Sequence, residues 1–132
     1  MKNIVKGKFQ VKGTPEPSDP TVQAIGAMRM RFDKRFEGAL DAEGTVAMTG
    51  IMDRDIGSGG YVALERIAGS LDGKKGSFCL QHNCLMSKGA QTQDIRVVPD
   101  TGTAELKGLT GTMRIEIADG GQHFYVFEYE LG

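Results

Sequence analysis

Residues 59–85 read GGYVALERIAGSLDGKKGSFCLQHNCL, two alternating runs with Asp72-Gly73 between them. That dipeptide signals a two-residue type I′ turn, because Gly takes positive φ without strain and Asp tolerates it. Closing the hairpin there sets Leu71 opposite Lys74, Gly69 opposite Gly76 and Ile67 opposite Phe78. Further along, Glu65 faces Leu80, Ala63 faces His82 and Tyr61 faces Cys84. Side chains alternate along a strand, so these residues share one face. The other face carries Val62, Leu64, Arg66 and Ala68 against Asn83, Gln81, Cys79 and Ser77. The first face is the more aromatic and apolar, and turns inward. Glu65 and His82 then lie diagonally across the pair, about 7–8 Å apart at the backbone and within mutual reach. A slip of one residue would send both outward.

Composition bounds the rest. A chain of 132 residues reads as one domain, residues 1–132, with enough length to bury a core. A net charge of −1 argues against a nucleic-acid partner, which needs a basic face. No apolar run approaches the roughly 20 residues of a membrane span. Lys2, Lys6 and Lys8 interrupt the one candidate leader. Cys79 and Cys84 sit on one strand at odd spacing, face opposite ways and cannot bridge to each other. They read as small hydrophobes in a reduced, cytoplasmic protein. Nineteen glycines, four prolines and no helical periodicity point to an all-β chain.

The flanking sequence extends the alternation. Residues 3–12 place Val5, Gly7, Phe9 and Val11 on one side and lysines on the other. Residues 13–26, with Pro15, Pro17 and Pro20, read as a long loop, either a lid or a surface strap. Residues 27–40 point Met28, Met30, Phe32 and Phe36 inward. Lys34 shares that face; it reads as a side chain snorkelling at the barrel end, with an inward cation as the alternative. A tight turn is expected at Asp41-Ala42. The strand 43–53 has an open phase, since Val46 and Met48 compete with Ala47 and Ile51. The glycines of 54–60 lead into a strand and so do not form a phosphate loop. After a strand at 89–98, Ala104 to Lys107 is long enough for one helical turn. Residues 110–118 send Met113, Ile115 and Ile117 inward, and Asp119-Gly120-Gly121 turns the chain. The last strand aligns His123, Tyr125, Phe127, Tyr129 and Leu131, with His123 opposite Ile117 and Tyr125 opposite Ile115.

Eight strands joined mostly by short turns form a meander that hides its edges by closing. Several runs carry a resemblance: Lys34-Arg-Phe-Glu-Gly38, Gly60-Tyr-Val-Ala-Leu-Glu-Arg66, Gly69-Ser-Leu-Asp-Gly73, Gly76-Ser-Phe78 through His82, Val98-Pro-Asp-Thr-Gly-Thr103 through Gly111, and the closing His123 to Leu131. Together they resemble an uncharacterised bacterial family, domain of unknown function 3224, over nearly the whole chain. That family is similar in fold to allene oxide cyclase and the dirigent proteins. Their Gly-Thr-Gly-x-aromatic-x-Gly segment is echoed by Gly102-Thr-Ala-Glu-Leu-Lys-Gly108, with Ala104 at the second glycine and Leu106 at the aromatic. The resemblance implies a closed eight-stranded antiparallel up-and-down barrel, allene oxide cyclase-like. It brings no activity with it.

In such a meander the connections 13–26, 53–60, 86–89 and 119–121 gather at an open mouth. The turns at 41–42 and 72–73 and the 99–109 segment close the other end. Met28, Tyr61, His82 and His123 lie toward the mouth, with Lys34 and Glu65 deeper. Glu65 and His82 are the candidate acid–base pair, since a buried carboxylate beside an imidazole exchanges protons near neutral pH. Lys34, Tyr61, Phe78, His123, Tyr125, Tyr129 and Met28 are the candidate ligand contacts. The competing reading has Glu65 and His82 satisfying each other in a filled core, with the tyrosines as packing. Two histidines without a spaced third ligand give no metal case, and no cofactor is expected. Three functions remain open: a barrel binding a small apolar molecule, a cofactor-free isomerase or cyclase, and a filled barrel. The last would assemble as a homo-oligomer through Val62, Leu64 and Met48.

Overall fold

Asp72 and Gly73 both take positive φ, +50° and +82°, as a type I′ turn requires. In the computed structural model, which describes residues 2–132, they join two long strands in the register given above, from Leu71↔Lys74 to Tyr61↔Cys84. These are β4 (Ser58–Leu71) and β5 (Lys74–Ser87). Around them run β1 (Asn3–Glu16), β2 (Met28–Phe36), β3 (Leu40–Asp53), β6 (Ala90–Val97), β7 (Leu109–Ile117) and β8 (His123–Leu131). Each pairs antiparallel with its sequence neighbours, and β1 also pairs with β8, closing an eight-stranded meander barrel. Among the described residues no helix is long and apolar enough to cross a membrane.

Three local expectations are corrected. The loop 13–26 is largely ordered: β1 runs on to Glu16, and a helix, α1 (Pro20–Ala24), follows. Asp19 caps that helix by accepting from the Val22 N–H at 2.9 Å, and Pro20 begins it. Beyond Phe9, β1 has β2 on one side only, where a proline lacking an N–H is tolerated. The β2–β3 reversal lies at residues 37–39 rather than Asp41-Ala42, because Gly38 supplies the positive φ of +102°. Ile117 keeps its inward parity at the strand end, where it is 63% exposed at the rim. The open phase of β3 resolves with Val46 and Met48 inward and Ala47 and Ile51 outward, which removes Met48 from the outer patch of Val62 and Leu64.

One half of the barrel is filled. Phe9, Phe36 and Tyr125 form one aromatic chain, with centroids 5.3 and 5.6 Å apart. Phe78, Phe127 and Tyr129 form a stacked one. Leu106, on a 3₁₀ turn spanning Ala104–Leu106, plugs the end. The segment carrying it continues the sheet by side chains. Glu105, Thr103 and Thr101 accept from the N–H groups of Lys75, Ser77 and Cys79, each at 3.0 Å. Alternate residues thus meet alternate amides of β5 where β6 is not yet alongside.

The β6–β7 seam is narrow. Only Ile95↔Met113 and Arg96↔Thr112 pair there, whereas every other neighbouring pair shares at least seven positions, as β1 and β8 do. Gln93 spans the gap: its side-chain amide donates to the Ile115 carbonyl and accepts from the Ile115 N–H, both at 3.0 Å.

Tyr125 pins the β2–β3 turn to the core. Its hydroxyl donates to the Glu37 carbonyl at 2.8 Å and accepts from the Leu40 N–H at 3.2 Å. Tyr125→Phe strands that buried N–H, and is expected to lower stability by about 1–3 kcal/mol in denaturant unfolding.

Candidate functional site

The centre of the barrel holds three ionisable side chains that meet at one oxygen. Lys34 on β2 donates to Glu65 Oε1 at 3.1 Å, and His82 Nε2 on β5 lies 2.8 Å from the same atom. The side chains of Lys34, Glu65 and His82 are 7%, 0% and 3% exposed. Lys34 is therefore an inward cation, not a side chain snorkelling to the barrel end. Charge this deep is tolerated because each group has an opposite or hydrogen-bonding partner. The Lys34 ammonium also lies 5.2 Å from the Phe9 ring centre and 5.8 Å from that of Phe36, within cation–π range.

Glycine makes the meeting possible. Lys34 pairs across the ladder with Gly44, and Gly44 with Ile67, so β3 stands between the lysine and the strand of Glu65. A Cβ at Gly44 would lie 2.4 Å from Glu65 Oε2 and 3.1 Å from the Phe36 ring. The missing side chain is the slot that holds the carboxyl. Oε2 itself accepts no hydrogen bond from the described residues.

Burial is the largest influence on the Glu65 carboxyl and raises its pKa; the His82 bond and the Lys34 charge lower it, and the net direction is down. Glu65 is thus an ionised acceptor, so the His82 Nε2–H donates to it. With Nε2 engaged, Nδ1 is the ring nitrogen left for another partner.

Above this trio, toward the loop end, lies a cavity of about 440 Å³. Its wall is mainly Phe9, Val11, Phe32, Val46, Met48, Ala63, Ile115 and Ile117. Lys34, Tyr61, His82, Gln91, Gln93 and His123 supply the polar positions. Burial, then Cys84 and Glu65, push the Tyr61 phenol well above its ordinary range. A smaller apolar pocket of about 90 Å³ adjoins it, sharing Met48, Tyr61 and Gln91, and carries Met28 with Met52 and Met86.

Of the sequence-derived candidates, Lys34, Tyr61, His82 and His123 line the main cavity and Met28 the smaller pocket. Phe78, Tyr125 and Tyr129 do not reach the wall. Phe78 stacks on Phe127, Tyr125 holds the β2–β3 turn, and the Tyr129 hydroxyl donates to Asp72, its pKa pushed up to about 12 by burial and that aspartate. Glu65 stands behind Lys34 and His82, off the cavity surface. Gln91 and Gln93 carry no sequence signal beyond their parity with Ile95 and Val97, which marks them as inward.

The family model described as "Protein of unknown function (DUF3224)" matches residues 5–129. A crystal structure from Shewanella oneidensis MR-1, a protein with unknown function from the DUF3224 family, is 42% identical. The match covers 100% of this chain and 98% of that one, at a TM-score of 0.91. No curated protein matches the chain.

Two outcomes are expected. A folded pKa below the ordinary 4.5 means the ionised Glu65 contributes stability that is complete above 4.5 and lost as pH falls through the depressed folded value. The urea midpoint should therefore fall below pH 4.5, and Glu65→Gln should flatten that slope. Gly44→Ala is expected to cost about 1–3 kcal/mol in the same assay by overfilling the slot, with Glu65→Gln,Gly44→Ala losing more than either alone.

Proposed function

Because this chain belongs to the DUF3224 family of proteins of unknown function, we propose from its cavity that it binds a small, largely apolar molecule inside the barrel. The supporting observation is a chamber of about 440 Å³, apolar over most of its wall, with Lys34 and His82 set in its floor. That size falls within the ~300–1,000 Å³ of small-molecule sites, and a few polar groups on an oily wall are how such sites orient a ligand. Lys34 and His82 are held by Glu65, so a ligand meets polar groups that are already placed and loses little to reorganisation.

A second reading draws on the 2.8 Å contact between His82 and Glu65. A histidine on the cavity wall, oriented by a buried carboxylate, has the parts of a general acid–base group. In this reading His82 is the group that touches substrate and Glu65 positions it. The reaction class is isomerisation or cyclisation of the bound molecule, with the proton removed and returned by His82.

The first test is native mass spectrometry of the purified protein, paired with titration of an apolar fluorescent probe. Ala63→Phe fills the chamber from its wall, with Val46→Phe as a second filling variant. Wild type is expected to carry or take up an apolar compound, and folded filling variants to lose at least ten-fold in affinity (~1.4 kcal/mol). Equal binding by wild type and both variants would place the probe elsewhere and end the cavity reading. Once a ligand is in hand, His82→Gln separates the two readings: binding survives in both, while turnover disappears only if the histidine moves protons.

A further inference from the structure

The cavity wall is chemically one-sided. It includes Lys34, His82 and His123, and among the described residues no aspartate or glutamate reaches it. The nearest carboxylate, Glu65, is turned away: Oε1 is engaged by Lys34 and His82, and Oε2 is packed over Gly44. A molecule entering from the mouth therefore meets an ammonium and an imidazole before it meets any negative charge. The ammonium has three N–H groups and spends one on Glu65, the other two having no hydrogen-bond acceptor among the described residues. Gln93, by contrast, is already committed at both ends of its amide to the Ile115 backbone.

We infer that the molecule is an organic acid: a compact apolar body whose single carboxylate seats on the Lys34 ammonium, an inference that rests on the binding reading above. The lysine then bridges two carboxylates, the inner one from the protein and the outer one from the ligand. Charge-assisted hydrogen bonds are stronger than neutral ones, and stronger again where water is excluded. A neutral ester or alcohol offers the ammonium a weaker acceptor. An amine meets a like charge at Lys34 and finds no carboxylate on the wall to answer it. The apolar residues above, Phe32, Val46 and Ile115 among them, take the body of the acid, so neither head nor tail alone accounts for the site.

The chain contains no tryptophan, so a naphthalene chromophore can be followed without indole background. Naphthoic acid, its methyl ester and naphthylmethylamine present one body with three heads. With the full-length protein, the acid is expected to bind at least ~10-fold tighter than the ester, the scale of one hydrogen bond to a charged group. The amine is expected to bind weakest. Lys34→Met should collapse the acid-to-ester ratio toward one. If that variant unfolds because Glu65 is left without its cation, Lys34→Met combined with Glu65→Gln removes both charges and makes the same comparison. Acid and ester binding alike, or the amine binding best, would overturn the acid inference and leave the cavity reading intact. No binding by any of the three, with filling at Ala63 making no difference to an apolar probe, would overturn both.

Discussion

A carboxylate taken out of water in the middle of a small barrel must have its charge answered there, and the interior of this protein is arranged around that requirement. Glu65 is answered by Lys34 from one side and His82 from the other, both at the same oxygen. Three strands supply the trio, and a fourth supplies only an absence, the missing side chain of Gly44. Removing one charged partner from such a cluster typically costs about 3–5 kcal/mol, because the remaining charge stays buried. The arrangement therefore ties β2, β4 and β5 together at one level of the barrel.

That level divides the interior. On one side the inward positions carry Phe36, Phe78, Phe127 and Tyr125, whose rings fill the lumen and meet the Leu106 plug. On the other side the inward positions Val11, Val46, Ala63 and Ile115 carry shorter side chains, which do not meet across an eight-stranded barrel. The chamber follows from side-chain volume, not from any unusual backbone. Its polar floor is the upper surface of the ionic trio, so the feature that stabilises the middle of the fold also presents chemistry to whatever occupies the space above. Gln93 adds to the wall while its amide does the work of a missing rung at the narrow β6–β7 seam.

Much of this was legible before any coordinates. Asp72-Gly73 set the register of the β4–β5 hairpin, and with it the inward placement of both Glu65 and His82. What was not legible lies mostly between elements that are not sequence neighbours. Lys34 looked misplaced on an apolar face because its partner is two strands away, 31 residues along the chain. Asp41-Ala42 resembles a reversal, whereas Gly38 carries the conformation of the β2–β3 turn and Tyr125, from the far end of the chain, holds it. Phe78, Tyr125 and Tyr129 share parity with the cavity residues but sit in the filled half, a difference in height along the barrel rather than in face.

Local sequence determined what depends on the two-residue period and on turn chemistry: the strands, the faces, the central hairpin and the all-β meander. Both rest on sterics within a few bonds, so a single chain of letters carries them. Tertiary structure decided how far each strand is sheared against the next around the closed ring. That shear sets which inward side chains stand at the same height: it brings Lys34 over Gly44 to Glu65, leaves Glu65 behind the wall, and stacks the aromatics below the chamber instead of around it.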